Sequence, residues 1–544
     1  MSDFSSQVTQ WIDPSEVVKA NITERLQQVF PPLDSFFLYP MLAVLTLVVG
    51  SFLVLLLGAW SKHHLTPKPI LNIFALIMTV IAAGFSFMIK PAGKVFLASG
   101  FIVDGITFVG FVTISLGLLA TLVLTLASQK GRESLMRYEG ICLVMMAAIG
   151  MMVTVASGDF ASFFIGLELT SLSLYILISK NSNHRSSLEA SLKYFFMGAA
   201  ASATILMGVA LLYSQLGSLR FEDLQYLTLS SDRPIVLIGL TMFLCGLAFK
   251  LGLAPFHMWS PDVYQSAQTQ LTGMMASLVK VTITLVLVRI IGSWTNTNGM
   301  LPELSHLASL LFLGFGLLSV GLGSVFGIVN FSVKRMLGYS SIANAGAIAL
   351  GLGCLARHPN NLALSQNLLG FLTLYAFMAI LSFAVISWIE DGYEHELFRS
   401  DLKGLGQIEP RLATWLTIVL LALGGLPPFI GFMGKFLILR SLFSENLPLW
   451  IPILFIGFSV FSMIYYLTLV IQMWFENKTT EAKPTSSLAK GSAHGIGSFL
   501  ILIMVLMSIA GPFWIYKLDL TLGHEGSKKI VNQTSAPVLD EVKE

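Results

Sequence analysis

Five ionisable side chains lie inside long apolar stretches of this sequence. Glu168 stands in FASFFIGLELTSLSLYILI, Lys250 in LCGLAFKLGLAPFHMW and Lys280 in LTGMMASLVKVTITLVLVRII. Lys435 lies in LALGGLPPFIGFMGKFLILR, and Lys193 lies near the start of another apolar stretch, in LEASLKYFF. A charge at the centre of a lipid bilayer costs about 2.5–3.5 kcal/mol on insertion scales. Pairing or hydration must offset such residues, so their positions indicate a function.

Each of these side chains also has a purely structural interpretation. A lysine near a helix end can extend its amine to the membrane surface, and Lys193 fits that explanation as well as a functional one. Lys280 lies too far from either end of its stretch for this. Glu168 needs a cationic partner, which we expect to be Lys250 or Lys193. His257, just after a proline, could simply hydrogen-bond a backbone carbonyl that the proline frees.

Buried lysines beside a carboxylate can carry protons. Desolvation lowers the pKa of an amine, and a nearby carboxylate raises it again. A lysine poised between these states accepts or releases a proton when the carboxylate approaches or withdraws. A series of such sites joined by water is a gated proton path, and we predict that six residues form it: Glu168, Lys193, Lys250, His257, Lys280 and Lys435.

The elements that hold these residues are predicted to span a membrane. The chain has 544 residues, of which 55% are hydrophobic and 11% are charged, and its mean hydropathy is +0.78. Its long apolar runs lack β alternation, so helices must satisfy the backbone in lipid. We therefore expect an all-α polytopic membrane protein with about fourteen spans, at residues 36–60, 69–89, 101–127, 138–156, 160–178, 189–213, 234–265, 271–291, 306–328, 336–356, 367–389, 411–443, 449–475 and 496–517.

Two of these spans are interrupted in the same way. Residues 252–256 read GLAPF, and residues 425–429, which begin 173 positions later, read GLPPF. A proline inside a helix frees backbone groups that need water or protein partners, so broken membrane helices usually line a polar cavity. Each interrupted span carries a lysine near the break, and an odd number of spans separates the two breaks. This pattern predicts two inverted five-helix repeats.

The chain is accordingly divided into five parts. We expect a polar N-terminal extension at 1–35, three spans at 36–137, a first repeat at 138–300 with its broken helix at 234–265, a second repeat at 301–475 with its broken helix at 411–443, and a final span with a polar tail at 476–544. Lysine and arginine are more frequent in alternate loops, which places both termini on the periplasmic side of a bacterial inner membrane.

Composition and motifs exclude several classes of function. A net charge of +2 gives no reason to expect nucleic acid as a partner. The three cysteines, Cys142, Cys245 and Cys354, are too far apart for a CxxC metal or redox motif. Dinucleotide, phosphate-loop, haem and iron–sulfur patterns are missing from the sequence. We therefore expect no cofactor and no metal in this chain.

Several motifs together resemble the antiporter-like, proton-translocating subunits of respiratory complex I, the NADH–quinone oxidoreductase. The resemblance covers most of residues 100–475 and rests on GLELTSLSLYILIS, EASLKYFFMGAAASA, FKLGLAPFHMWSPDVYQ, VKRMLGYSSIANAG and GGLPPFIGFMGKF. It implies a membrane-arm subunit without a redox centre, assembled with other membrane-arm subunits and embedded in the lipid bilayer. The complex would couple electron transfer from NADH to quinone to proton movement through this translocase of the respiratory chain.

The resemblance also implies individual roles. Glu168 matches the glutamate that pairs with the broken-helix lysine, here Lys250. Lys280 matches the central lysine, and Lys435 matches the lysine near the exit to the positive side. Lys193 and His257 fall on further motif positions.

Two departures from the family pattern bear on this path. Asn344 stands where the family usually has histidine, so water must bridge that position if it belongs to the relay, with help from Tyr339 and Ser340. Residues 266–270 read SAQTQ in place of a proline-containing loop.

Other functions remain open on the sequence alone. A sodium–proton antiporter, alone or in a multi-subunit complex, or a related hydrogenase-type membrane subunit would use the same lysines. A quinone-site subunit with direct redox duty is disfavoured because metal-ligand spacing is missing.

Overall fold

The computed structural model describes most of the expected membrane region. It covers residues 35–60, 69–89, 94–96, 100–128, 130–131, 137–180, 185–227, 232–294, 302–393, 395–445, 447–477, 495, 497–499 and 502–504. The extension at 1–34, most of the expected span at 496–517 and the polar tail lie outside these residues.

Helices account for nearly all regular structure in the described residues. They are α1 Ser35–Ala59, α2 Pro69–Phe87, α3 Gly105–Ala127, α4 Tyr138–Ala156, α5 Phe160–Ser179, α6 Arg185–Leu216, α7 Arg233–Leu251, α8 Trp259–Ser266, α9 Thr269–Ser293, α10 Pro302–Val329, α11 Val333–Arg357, α12 Leu362–Glu390, α13 Leu405–Ile408, α14 Pro410–Gly424, α15 Ile430–Ser444 and α16 Trp450–Phe475. Two 3-10 turns lie at Glu222–Tyr226 and Arg399–Leu402. The strands β1 Lys94–Phe96 and β2 Phe101–Val103 form an antiparallel pair before α3.

Twelve of the described helices are long and apolar enough to cross a membrane. They coincide with the first eleven expected spans and the thirteenth, so the predicted all-α polytopic membrane fold is confirmed. The expected twelfth span is split into α14 and α15, each of 15 residues. The total of fourteen stays a prediction, because the last span lies mostly outside the described residues.

Short polar side chains set the starts of several helices. Asp104 and Asp159 accept hydrogen bonds from the amides of Thr107 and Ser162, at the first turns of α3 and α5. Ser332 caps α11 in the same way. These caps satisfy backbone donors that would otherwise be unpaired where each helix begins.

The bundle encloses two helices more completely than the others. In α9 and α11, 94% of the most apolar segment is buried inside the protein, compared with 28% in α16. Lys280 lies on α9, so surrounding helices rather than lipid determine its environment.

Two stretches of the chain form the same local arrangement 173 residues apart. Asp159, before α5, forms an isolated antiparallel bridge with Arg220 beyond α6. Ser332, 173 residues later and before α11, forms the same bridge with Phe398 beyond α12. The helix order between and after these bridges matches as well, with a long helix followed by a broken one.

Contacts along α9 give the relative direction of these stretches. At its C-terminal end, Arg289 donates a hydrogen bond to the carbonyl of Ser157, which immediately precedes α5. At its N-terminal end, Thr269 hydrogen-bonds Glu390 at the end of α12, and Lys334 at the start of α11 donates to the adjacent backbone. The N-terminus of α5 and its counterpart, the N-terminus of α11, therefore lie at opposite ends of α9.

Candidate functional site

The first helix break places Lys250 beside Glu168. Gly252 ends α7 in the left-handed conformation (φ 72°), which glycine adopts without a Cβ clash. The Lys250 Nζ atom lies 3.7 Å from Glu168 Oε1 and donates to Ser171 Oγ at 2.8 Å. The same Glu168 oxygen accepts a hydrogen bond of 2.5 Å from Ser202 Oγ. Burial of the lysine and these contacts create an ion pair that neighbouring hydroxyls can supplement or replace.

Of the two partners considered for Glu168, the structure brings Lys250 and leaves Lys193 elsewhere. Lys193 lies on an outward-facing side of α6, with 47% of its side chain exposed. Its Nζ atom pairs with Glu189 at 2.8 Å and with Asp262 at 3.3 Å. Lys193 therefore belongs to a separate charged group that links α6 to the short helix α8.

Side chains of neighbouring elements satisfy backbone groups freed by the first break. The Ala254 amide donates to Ser319 Oγ on α10 at 2.8 Å, and Trp259 Nε1 donates to the Phe249 carbonyl at 3.0 Å. His257 is buried in the same non-helical segment. The described contacts do not join its ring to the lysine of the break.

The second break places Lys435 over a glycine. Gly425 ends α14 with φ 80°, and Lys435 Nζ donates to the carbonyl of Gly424 at 2.8 Å. A Cβ atom added to Gly425 would lie only 2.8 Å from Lys435 Cδ. The two breaks thus share their glycine cap but differ in their lysine, because Lys250 precedes its break and Lys435 follows it.

Lys280 is held by hydroxyl and carbonyl groups instead of a carboxylate. Its Nζ atom donates to both the carbonyl and the Oγ atom of Ser341, each at 2.5 Å. The same hydroxyl lies 3.0 Å from Tyr375 OH, and the lysine amine lies 5.6 Å from the centre of that tyrosine ring. Among the described residues, no carboxylate lies within ion-pair distance of Lys280. A neutral site of this kind can hold the amine in either protonation state.

Asn344 and Lys435 line one small cavity. Its volume of about 10 Å³ is roughly that of one water-sized sphere. Ser324 Oγ, also on its wall, has no hydrogen-bond partner within the described part of the chain. Asn344 donates to the Ser340 carbonyl at 2.9 Å, and the Ser340 hydroxyl bonds Tyr466 OH. The cavity suits a single bridging water, as expected if Asn344 replaces a protonatable histidine.

The loop SAQTQ is tied to the end of α12 without a proline. Thr269 hydrogen-bonds Glu390, and Gln270 hydrogen-bonds Ser387. The Lys334 amine donates to the Ala267 carbonyl at 2.8 Å. These side chains fix the start of α9, which carries Lys280.

Sequence reasoning missed the neutral groups that contact the lysines. Ser171 and Ser202 complete the first site, and Ser341 and Tyr375 complete the central one. Serine and tyrosine are ordinary residues in membrane helices, so their types alone gave no signal. The 173-residue spacing did contain one, because it relates Glu168 to Ser341 and Ser202 to Tyr375.

The fold and site together define an ion-translocating type of membrane protein. Membrane-embedded lysines that face the interior of a bundle, beside broken helices and bridging hydroxyls, are the features of ion and proton pathways. Among the described residues, no group of three or more His, Cys, Asp or Glu side chains could hold a metal ion.

Comparisons with known proteins identify the family. Residues 157–462 match the family described as "NADH:quinone oxidoreductase/Mrp antiporter, TM". NADH-quinone oxidoreductase subunit N of Rhodobacter capsulatus is 32% identical over 436 residues, which cover 80% of this chain and 88% of the relative. The subunit of the same name from Maricaulis maris is 31% identical over 478 residues, covering 85% and 94%. The chain therefore belongs to the NADH:quinone oxidoreductase/Mrp antiporter family of membrane proteins.

Solved structures share the fold over nearly the whole chain. A chain of respiratory complex I from Thermus thermophilus matches with a TM-score of 0.72 and 28% identity, over 88% of this chain and 99% of that one. A chain of the Mrp complex from Dietzia sp. matches with a TM-score of 0.73 over 88% and 96%, but at 17% identity this likeness concerns the fold alone.

Proposed function

We propose that this chain is the proton-translocating subunit N of an NADH–quinone oxidoreductase, in the membrane arm of respiratory complex I. It works in the lipid bilayer beside other membrane-arm subunits. NADH oxidation and quinone reduction take place elsewhere in the complex, so this chain moves protons as a translocase without a redox centre of its own. The buried Lys280 site, which holds an amine among neutral groups at the centre of the bundle, is the observation that carries this proposal.

The proton path in this proposal has three stations. Protons enter from the cytoplasmic side to Lys250, pass to Lys280 and leave through Lys435. Electrostatic change at the Glu168–Lys250 pair gates the path, because loss of the carboxylate's attraction favours release of the proton from the amine. Hydroxyls of Ser341 and Tyr375 and a water beside Asn344 supply the intermediate hydrogen bonds. Lys193 and His257 belong at the cytoplasmic side and at the break, where they support this path.

The proposed topology follows from the same elements. Residues 138–300 and 301–475 form two inverted repeats, which the opposed ends of α5 and α11 along α9 support. The spans at 36–137 precede them, and the final span follows in 476–544. The protein lies in a bacterial inner membrane with both termini on the periplasmic side, and the extension at 1–35 lies on that side too.

Replacing Lys280 by Met tests the function. Methionine fills a similar volume but carries no charge and cannot hold a proton. Purified complex containing Lys280→Met, placed in proteoliposomes and supplied with NADH and quinone, is expected to lose the proton pumping that this subunit contributes. Lys403→Met is the matched control, because Lys403 forms a surface ion pair with Glu476 at 2.8 Å, away from the path. Normal pumping by an assembled Lys280→Met complex would contradict the proposal.

The alternative function is cation–proton exchange in an Mrp-type antiporter, since the matching family includes such proteins. Sodium-driven proton movement by the isolated chain would favour it. Copurification with flavin and iron–sulfur subunits in mild detergent would favour the complex I assignment.

A further inference from the structure

A buried carboxylate lies at the far end of the helix that carries Lys435. Glu445 directly follows α15, and only 3% of its side chain is exposed. It stands ten residues after Lys435, which corresponds to about 15 Å along a helix. A carboxylate so enclosed at a helix end needs a specific partner.

That partner is a histidine at the surface. The Nε2 atom of His358 lies 3.1 Å from Glu445 Oε2, and 58% of the histidine side chain is exposed. Both residues line an open cleft of about 510 Å³, together with Arg357, Asn361 and Ser444. The pair therefore connects the protein interior to solvent.

The pair lies on the side where the proposed path ends. His358 follows α11 and Glu445 follows α15, so the C-terminal ends of both helices meet at this cleft. With the termini on the periplasmic side, this is the periplasmic face. A buried hydrogen bond of 3.0 Å from Asn367 to Ser441 Oγ lies between Lys435 and the pair, one helical turn before Glu445.

We propose that Glu445 and His358 form the terminal proton-release site of this subunit. The inference rests on the proposed function and assigns the last groups of that path. The N–H bond of the Lys435 ammonium breaks, and an O–H bond forms on the Glu445 carboxylate through the intervening polar groups and water. Glu445 then passes the proton to His358 or to water in the cleft, and the carboxylate is restored.

The charges around Glu445 suit such an exchange. Burial raises the pKa of Glu445, whereas the nearby His358 and Arg357 lower it and a hydrogen bond with the Asn361 side chain lowers it further. Cys354, on the same face of α11, is the remaining titratable neighbour. The carboxyl group is thus held above its ordinary range but within reach of a change in the charge of His358.

The test uses the whole complex in proteoliposomes while the pH of the receiving compartment is varied. Glu445 can accept a proton only as a carboxylate, so wild-type pumping should fall as that pH drops through its pKa. Glu445→Gln should lower pumping roughly tenfold at neutral pH, as expected for loss of an acid–base group, and should remove this acidic limb. His358→Ala should move the limb to higher pH by about one unit, because a cation within a few ångströms is lost. His358→Lys should restore its position.

Glu303→Gln is the matched control, since Glu303 is an exposed carboxylate that pairs with Arg233. It should leave both the rate and the pH profile unchanged. Because His358 is exposed, its variants test the inference even if Glu445→Gln fails to assemble. Wild-type rates and an unmoved acidic limb in His358→Ala would overturn the release site. If Lys280→Met still abolishes pumping, that result leaves the proposed function intact.

Discussion

Replacing Gly425 by Ala should disable the second break through the position of Lys435. Gly425 has φ 80°, and its missing side chain leaves room for the lysine to lie over the break. A Cβ atom there would lie 2.8 Å from Lys435 Cδ, 3.3 Å from Cε and 3.4 Å from Nζ. The flexible lysine would have to move, and its hydrogen bond to the Gly424 carbonyl would be lost.

Two energies follow from this geometry. A non-glycine residue in the left-handed region costs about 1–2 kcal/mol. The lost hydrogen bond to a charged group is worth about 1.5–3 kcal/mol. Since 1.4 kcal/mol corresponds to a factor of ten, the amine should occupy its present position roughly ten times less often, or fewer still. The first energy lowers stability, whereas the second lowers proton transfer.

Gly252→Ala separates the two effects. Gly252 has φ 72°, so alanine costs a similar backbone energy, but the nearest atom to its Cβ is Ser260 Oγ at 3.8 Å. NADH-driven pumping and thermal unfolding of the purified complex would be measured for both variants. We expect similar stability losses and a much larger pumping loss, roughly tenfold, for Gly425→Ala. Equal pumping in the two variants would refute the reasoning.

Three further substitutions test the stations of the path. Ser341→Asp should place a carboxylate against Lys280, hold it as a cation and slow pumping, whereas Ser341→Ala should slow it less; pumping rates in proteoliposomes distinguish these outcomes. Glu168→Gln should remove the Coulomb attraction to Lys250, worth up to about 4 kcal/mol near 4 Å in a protein-like medium, and uncouple pumping from NADH oxidation, while Glu168→Asp should retain part of both. Asn344→Leu should exclude a bridging water and slow pumping, and Asn344→His should not; equal rates in the two variants would remove that position from the path.

The fold was largely readable from the sequence, because the membrane restricts it so strongly. Apolar runs of sufficient length predict spanning helices, and proline with glycine predicted both breaks where α7 and α14 end. The pairing of Lys250 with Glu168 followed from the cost of leaving either charge alone. Lys193 could not be placed in this way, since its position near a helix start allowed both an interior and an outward orientation.

The neutral groups around the lysines were harder to predict. Hydrogen bonds from Ser171, Ser341 and Tyr375 depend on helix packing across distant parts of the chain, which periodicity does not report. The same applies to Glu445 and His358. They are far apart in sequence, and each resembles an ordinary polar residue at a helix end.

The two halves of the bundle use corresponding positions for different chemistry. Glu168 accepts a hydrogen bond from Ser202, and their counterparts 173 residues later, Ser341 and Tyr375, share a hydrogen bond as well. The geometry is thus repeated, but a carboxylate in the first half is replaced by a hydroxyl in the second. A carboxylate holds a proton on the adjacent lysine, whereas a hydroxyl of this kind does not. Two geometrically similar sites therefore differ in proton affinity, and a proton that leaves the Glu168 site meets a central lysine without a counter-ion to retain it.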